Sequence, residues 1–580
     1  MASIVFKTKK GREYAYWVRS ARVHGKPRIV EQVYLGPKGR FVDEIKVAYS
    51  RGLSPGPTPL KRLRDKEFGA SALLWHWAKE LDLVGIVDRH VPAVPTRRRT
   101  TFSVGQYLVM AAINRAVNPC SKRAFHDWYR ESVLSRLWPG REGELSSQRF
   151  WDHMDQVQTE HIEAIQHDLI GRLAVLFNLG QDTVLYDSTN FFTFIDTFND
   201  RSQLAQRGHN KQKRHDLRQL SLALFEDCTT SLPLYHQCYA GNHNDVTQFP
   251  FAWENLLKGW LDPLEREPEQ LTLVFDRGNT SRANVQQLDR KAVHYVAGVP
   301  QSWMRDLLDV PRTEYRDAGL PGAQHVRVYR ARREVWGKER TVLVVLSPSF
   351  YRRQRAAMNR EQEKAERNLQ ELAAAIDRWA TRHRGKGYDE AGVRRKVATW
   401  TAREHLRQFL DLQLEVEQGR VVRLEWTWNA TKKREIQRRH LGKQILVTDR
   451  ADWDDATVVA AYRRLTRTES LFRITKSRPG LWWPMFHWTD SKIRVHALYC
   501  YFALLLLAIM RLQLRQAGLS YDTDTALAHL RRIRETAVVY TNGAADRVLS
   551  DMDETQENVA DALQVLDLAR EMGNTLLPRP

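Results

Sequence analysis

DTVLYDST, residues 182–189, sets the reading of the fold. Val184, Leu185 and Tyr186 run without a break into Asp187, an apolar run of strand length bounded by polar residues. Working outward, two further strand-like runs follow, RQLSLALFED (218–227) and LPLYHQCYAG (232–241). A helical stretch begins after Asn244-Asp245. LTLVFDRG (271–278) then ends a second apolar strand on Asp276, and a short helix after Ser281 leads to AVHYVAGVP (292–300).

Three strands, helix, strand, helix, strand is the order of an RNase H-like sheet. In that arrangement the first acid lies on the first strand. The second lies on or just past the fourth strand, beside the first, and the last comes from a later helix. Asp187 and Asp276 match the first two places, and Glu469 in YRRLTRTESLFRITK (462–476) matches the third. This stretch reads as one helix, on which Tyr462, Glu469 and Lys476 follow at steps of seven and share a face. Phosphodiester chemistry needs an activated oxygen nucleophile and a stabilised leaving oxygen, and paired divalent ions with carboxylate ligands supply both. Asp187, Asp276 and Glu469 are therefore the expected catalytic residues and metal ligands, for two Mg2+ ions with Mn2+ as a substitute. Two carboxylates about 4 Å apart repel by about 4 kcal/mol at an effective dielectric near 20, so the cluster is expected to depend on its cations.

Around the acids, Lys476, Tyr462 and Arg473 are expected to meet phosphate oxygens. Two basic, aromatic segments add DNA-binding candidates. These are GHNKQKRHDLRQ (208–219), with Lys211 and Arg214, and SRPGLWWPMFHWTDSKIRVH (477–496), with Arg478 and Arg494. Taken singly, FDRGN is turn chemistry, a Glu–Lys helix pair is a solvated face, and most tryptophans fill cores. The acids gain meaning from lying on the right elements in the right order.

The chain has 580 residues, enough for several domains, and a formal net charge of +21 with a pI near 9.8. That excess points to a polyanionic partner. Four cysteines without CxxC spacing indicate neither a zinc site nor a disulfide framework. The first residues lack the apolar run of a signal peptide. The longest apolar run, ALYCYFALLLLAIM from Ala497 to Met510, is short for a membrane span and reads as a buried core helix in a cytoplasmic protein.

The expected layout is as follows. Residues 1–55 form a β-rich basic segment and 56–180 a helical domain for DNA binding. Residues 181–300 form the first part of the core. Residues 301–445 form an insertion of strands and a helical hairpin that interrupts the core, and 446–515 form its second part with the glutamate helix. Residues 516–580 are expected to be helical. The fold class is thus α/β, an RNase H-like core with a mixed β/helical insertion and helical flanking domains.

Several motifs together, among them LYDSTNFF, KRHDLRQLSLAL, YAGNHNDV, LVFDRGNTS, YRRLTRTESLFRITKSRP and FHWTDSKIRVHALYCYFALLL, give a resemblance over most of the chain. The sequence resembles the DDE transposases of bacterial insertion sequences, the IS-four type with a Y-R-E-K signature, with its nearest likeness in the IS-sixteen-thirty-four branch. One departure is visible: the signature arginine three residues after the tyrosine is Leu465 here, beside Arg464. The resemblance implies cut-and-paste transposition of DNA. Ends are cleaved with metal, and the freed 3′-hydroxyl joins to target DNA. It implies terminal inverted repeats and target duplex as partners, a homodimer on DNA, no membrane, and a nucleoid-associated place in a bacterial cytoplasm. In hairpin-forming relatives an insertion tryptophan stacks a flipped base, which makes Trp336, Trp426 and Trp428 candidates. An RNase H-like nuclease or resolvase shares the metal site but only hydrolyses. A transposase-derived DNA-binding protein without catalysis is a third class, and it predicts a lost acid.

Overall fold

The computed structural model describes every residue except 1, 24–25, 44–59, 95–100, 142, 180–182, 197, 209, 211–213, 265, 324, 477–480, 483–484, 541–544 and 576–580. The proline-rich stretch from Gly52 and most of the basic run at 96–101 lie outside the described residues. The chain divides into two compact units, one of residues 75–125 and 140–516, the other of 1–74, 126–139 and 517–580.

The larger unit is built on nine strands of one mixed sheet. These are β1 (Thr183–Thr193), β2 (Arg218–Asp227), β3 (Pro233–Ala240), β4 (Thr272–Phe275), β5 (His294–Val299), β6 (Arg316–Asp317), β7 (Arg327–Val335), β8 (Lys338–Leu346) and, after the two-stranded ribbon β9 (Leu410–Glu417) and β10 (Arg420–Trp428), β11 (Lys443–Thr448). Their order is β6-β7-β8-β11-β5-β4-β1-β2-β3. β1, β2 and β3 form an antiparallel meander, while β4 pairs parallel to β1 and β5 parallel to β4. β11, β8, β7 and β6 extend the sheet antiparallel beyond β5. All four residues of β4, Thr-Leu-Val-Phe, are buried. Central parallel strands are covered on both faces, and so read as unbroken apolar runs.

The helices that place the site are α1 (Val104–Val117), α2 (Thr159–Phe177), α3 (Asp245–Leu264), α4 (Arg282–Arg290), α5 (Pro348–Arg382), α6 (Glu390–Trp400), α7 (Asp455–Arg463), α8 (Leu465–Lys476) and α9 (Asp490–Gln516). Several start where side-chain caps direct. Ser103 forms a capping box with Gln106, Ser281 accepts from the Asn284 amide, and Asp389 accepts from that of Gly392. On one face of the sheet Leu185, Val274, Val296 and Leu446 pack with Val458, Val459 and Ala461 of α7 and Leu465 of α8. On the other face Phe249 of α3 lies between Tyr186 and Phe275, with ring centroids 4.8 and 4.7 Å away. α9 is long and apolar enough to cross a membrane, and it is almost wholly buried inside the fold. A helix apolar on every side packs this way in a large core.

The stretch 462–476 is not one helix. α7 ends at Arg463 and α8 starts at Leu465. The Thr466 hydroxyl donates to the Arg463 carbonyl at 2.8 Å, a local bond that competes with the helical ladder and bends it. Tyr462 therefore sits on a different helix from Glu469 and Lys476. Between β8 and β11, the paired helices α5 and α6 and the ribbon β9–β10 close over a core of their own, with Leu369, Ile376, Val397 and Leu424 buried.

The smaller unit holds an antiparallel sheet of strands Ala2–Lys9, Arg12–Val23 and Lys26–Pro37. A second sheet joins Leu60–Glu67 to Arg534–Tyr540 and Ala545–Leu549. The region from 516 is thus not all helical. Its strands pair with one far away in sequence, and Arg136 grips the buried Glu535 through two bonds of 3.0 and 2.7 Å. Such long-range pairing leaves no local signature.

Candidate active site

β1 and β4 run parallel in the register Thr183↔Thr272 to Tyr186↔Phe275. The next residue on each is an aspartate, so Asp187, inside β1, and Asp276, just past the end of β4, lie at the same level, and β1 runs on to Thr193 instead of ending at Asp187. Neighbouring strands lie about 4.8 Å apart, and period-two alternation puts both acids on the face of Leu185 and Val274, under α7 and α8. Both are partly buried.

Asp276 is held by its own turn. Its Oδ1 accepts from the Gly278 amide at 2.9 Å and from Asn279 Nδ2 at 3.1 Å. Its Oδ2 accepts nothing among the described residues, nor does a cation pair with it there. Asp187 Oδ1 accepts from the Ser188 amide at 2.8 Å. Two hard oxygen donors on adjacent strands, one with a spare oxygen, fit a divalent cation.

Tyr462 brings its ring to the same place from α7. A Cβ on Gly298 of β5 would lie 2.2 Å from the Tyr462 hydroxyl, so only glycine leaves room for the phenol. Burial, then Asp276, then Asp187 push that phenol far above its ordinary value, against the opposing pull of Arg277. It stays a protonated donor near the two carboxylates.

α8 packs across β1. Lys476 donates to the Thr189 hydroxyl and lies 5.3 Å from the Phe191 ring. Thr189 and Phe191 follow Asp187 at steps of two, so the ammonium stands along the carboxylate side of the strand. Glu469 lies on this same helix, seven residues before Lys476. Its side chain, like those of Arg467, Ser470, Ile474 and Thr475, lies outside what the structure describes. Among the described residues the acids at the site are a pair.

The remaining expected residues scatter. Arg473 is exposed on α8. Arg214 is exposed and forms a two-bond ion pair with Asp216, 2.8 and 2.7 Å. Arg494 on α9 donates to the Cys238 carbonyl at 3.4 Å. Lys211 and Arg478 lie outside the described residues. Trp336 sits in the β7–β8 turn, with Trp303 edge-on at 6.0 Å, and β8 is four places from β1 in the sheet. Trp426 and Trp428 both donate to Glu366 Oε2, at 2.9 and 2.6 Å, and pack on the core of the α5–α6 hairpin. Arg464 does not stand in for the arginine replaced by Leu465. It donates to the Cys228 carbonyl at 3.1 Å, beside Thr183 at the far end of β1, and Leu465 is core.

Two supporting residues, Gly298 and Thr280, carry no clear mark in the sequence. Gly298 admits the phenol. Thr280 ties the Asp276 turn to β5 by donating to the Gly298 carbonyl at 2.8 Å. The glycine inside the strand YVAGVP was the one available signal, because strand glycines often mark close approach.

No family model matches the chain, and no curated protein matches it. Among solved structures, the piggyBac transposase synaptic complex with hairpin DNA is similar at a TM-score of 0.35 and 8% sequence identity, over 88% of this chain and 85% of that one. At that score two chains need not share a fold.

Proposed function

We propose that the protein is a metal-dependent DNA transposase with an RNase H-like core. It cleaves at the ends of an insertion sequence and transfers the 3′-hydroxyl into target DNA. The observation that carries this reading is the carboxylate pair. Asp187 and Asp276 sit at one level on adjacent parallel strands, on the face crossed by the helix of Glu469 and Lys476. A meander followed by two strands parallel to its first member, with the first and fourth strands adjacent, supports the RNase H-like assignment. The net charge of +21 supports a polyanionic substrate.

In this reading Asp187, Asp276 and Glu469 hold divalent Mg2+ or Mn2+. Bound there, the ions would offset the carboxylate repulsion and stabilise charge on the phosphate under attack. Lys476 holds a phosphate oxygen as a point charge, and the Tyr462 hydroxyl donates to another. Asn279 and the Gly278 amide fix the Asp276 carboxylate so that one oxygen faces the substrate. The protein works on duplex DNA as a homodimer that brings two ends together, in the bacterial nucleoid.

The test uses DNA flanking the protein's own gene, labelled at one 3′ end. Metal-dependent cleavage followed by joining of that end to a second duplex is the expected result. Cleavage without joining would reassign the protein as a nuclease, and binding without cleavage as a DNA-binding derivative.

A further inference from the structure

Away from the carboxylates, the larger unit encloses a cavity of about 300 Å3 between the end of α1, the helix Ser147–Asp155 and the start of α9. Arg115, Lys122, Phe150, Trp151, His487 and His496 line it, and no aspartate or glutamate does among the described residues. Phe486 forms part of the wall and is 57% exposed.

Lys122 is the anomaly. Its ammonium lies 4.8 Å from the Phe150 centroid and 4.9 Å from that of Trp151, and no acceptor or carboxylate meets it among the described residues. Lys492 approaches the same Trp151 ring at 5.3 Å, but it is matched by Asp155 at 2.5 Å and the Trp151 carbonyl at 2.7 Å. Arg115 donates to the Leu481 carbonyl at 2.7 Å. Burial, with Arg115 and Lys492 nearby, pushes Lys122 down to about 7. A partly buried charge without a partner is costly, and a bound anion removes the cost.

His487 is the second anomaly. Burial keeps both histidines neutral. His496 Nε2 donates to the Trp482 carbonyl at 3.2 Å, which leaves its Nδ1 as an acceptor, met by the Tyr499 hydroxyl at 2.5 Å and by His487 Nε2 at 3.0 Å. His487 Nδ1 is buried without a partner among the described residues. The cavity thus combines an unmatched cation, an unmatched ring nitrogen and flat apolar walls.

We propose that this cavity binds a nucleotide, with its phosphate on Lys122 and its base against the aromatic wall, where His487 Nδ1 hydrogen-bonds the polar edge of the base. A phosphate needs the cation, a base needs rings to lie against, and the volume suits a small ligand. The cavity also shares a run of rings with the carboxylate face. Lys476 stands on Phe191, Phe191 stacks on Trp482 at 4.6 Å, and Trp482 meets His496 edge-on at 6.2 Å. The ligand is thus either a free nucleotide or an unpaired nucleotide of a bound strand. The site itself does not rest on the transposase reading.

The experiment is calorimetric titration of the full chain with dAMP, deoxyadenosine and inorganic phosphate, repeated on Lys122→Met and Lys122→Arg. Expected is dAMP binding about tenfold or more tighter than either fragment, an equal loss in Lys122→Met, and recovery in Lys122→Arg. Lys122→Met should melt no lower than the parent, which separates a lost ligand contact from a lost fold. Undiminished dAMP binding by Lys122→Met, or dAMP no tighter than phosphate, overturns the proposal. Displacement of dAMP by a hairpin DNA with one unpaired nucleotide, but not by a fully paired hairpin, assigns the bound strand as the source. Displacement by neither assigns the free nucleotide. The same titration on Asp187→Ala keeps this result separate from the catalytic reading.

Discussion

The carboxylate face and the Lys122 cavity carry charge imbalance of opposite sign, met in different ways. At the first, Asp187 and Asp276 lie side by side at one level, and among the described residues Asp276 keeps an oxygen without a hydrogen bond. At the second, Lys122 lies against two rings, and no acid lines its cavity among the described residues. A carboxylate pair with one spare oxygen asks for a hard cation. An unmatched ammonium with aromatic walls asks for an anion that carries a ring. The pair shows that buried charge without a partner is more informative about ligands than charge that is already paired, such as Arg340 on Asp289.

The comparison can be broken at either end. The largest expected effect is at the acids. Asp187→Ala or Asp276→Ala should lower strand cleavage by about a thousandfold or more. DNA binding should stay within about threefold, since phosphate contacts carry affinity. End-labelled cleavage and filter binding measure the two, and ordinary cleavage by Asp187→Ala would remove it from the site.

Next in size is metal linkage. Saturating Mg2+ should stabilise the parent by about 2.7 kcal/mol at a hundred times its dissociation constant. The Asp187→Asn/Asp276→Asn double variant should melt at one temperature with or without Mg2+.

Lys476→Ala should weaken DNA binding by about tenfold and lower the slope of log affinity against log salt by about 0.9. An unchanged slope would mean that Lys476 meets no phosphate.

At the opposite site the sign reverses. The ordinary lysine value is 10.5, and in the fold Lys122 falls to about 7. Between these values the unfolded chain holds a proton that the folded chain has lost, so this group makes stability rise with pH. Lys122→Met should therefore stabilise the protein most below pH 7, with the gain fading as pH approaches 10.5. Chemical denaturation at several pH values tests it, and a gain that grows with pH would contradict the unmatched ammonium.

The smallest effect separates the insertion from both sites. Trp428→Phe removes a hydrogen bond to Glu366 and should cost about 1 kcal/mol of stability. Cleavage by the folded variant should be unchanged.

Much of the larger unit was legible in order and type. The runs that reach Asp187 and Asp276 are strands, Ser281 caps the helix that follows it, and the run from Ala497 lies in a buried helix. Those features depend on periodicity and capping within a few residues. The bend at Arg464 was not legible, because Thr466 can bond back to a carbonyl or face solvent, and only the packing of α7 and α8 chooses. The tryptophans were weak candidates for the same reason, since an indole beside charged residues reads alike whether it meets a base or Glu366.

The sequence by itself determined where the acid-bearing strands run, which helices begin where, and that the chain carries a large positive excess. These follow from local preference and from counting. Only the tertiary structure decided that Asp187 and Asp276 lie at one level, that Gly298 clears space for Tyr462, and that Lys122 is set against two rings. It alone joined strand Leu60–Glu67 to strand Arg534–Tyr540. Those outcomes depend on the register and packing of segments far apart along the chain, which short-range physics does not encode.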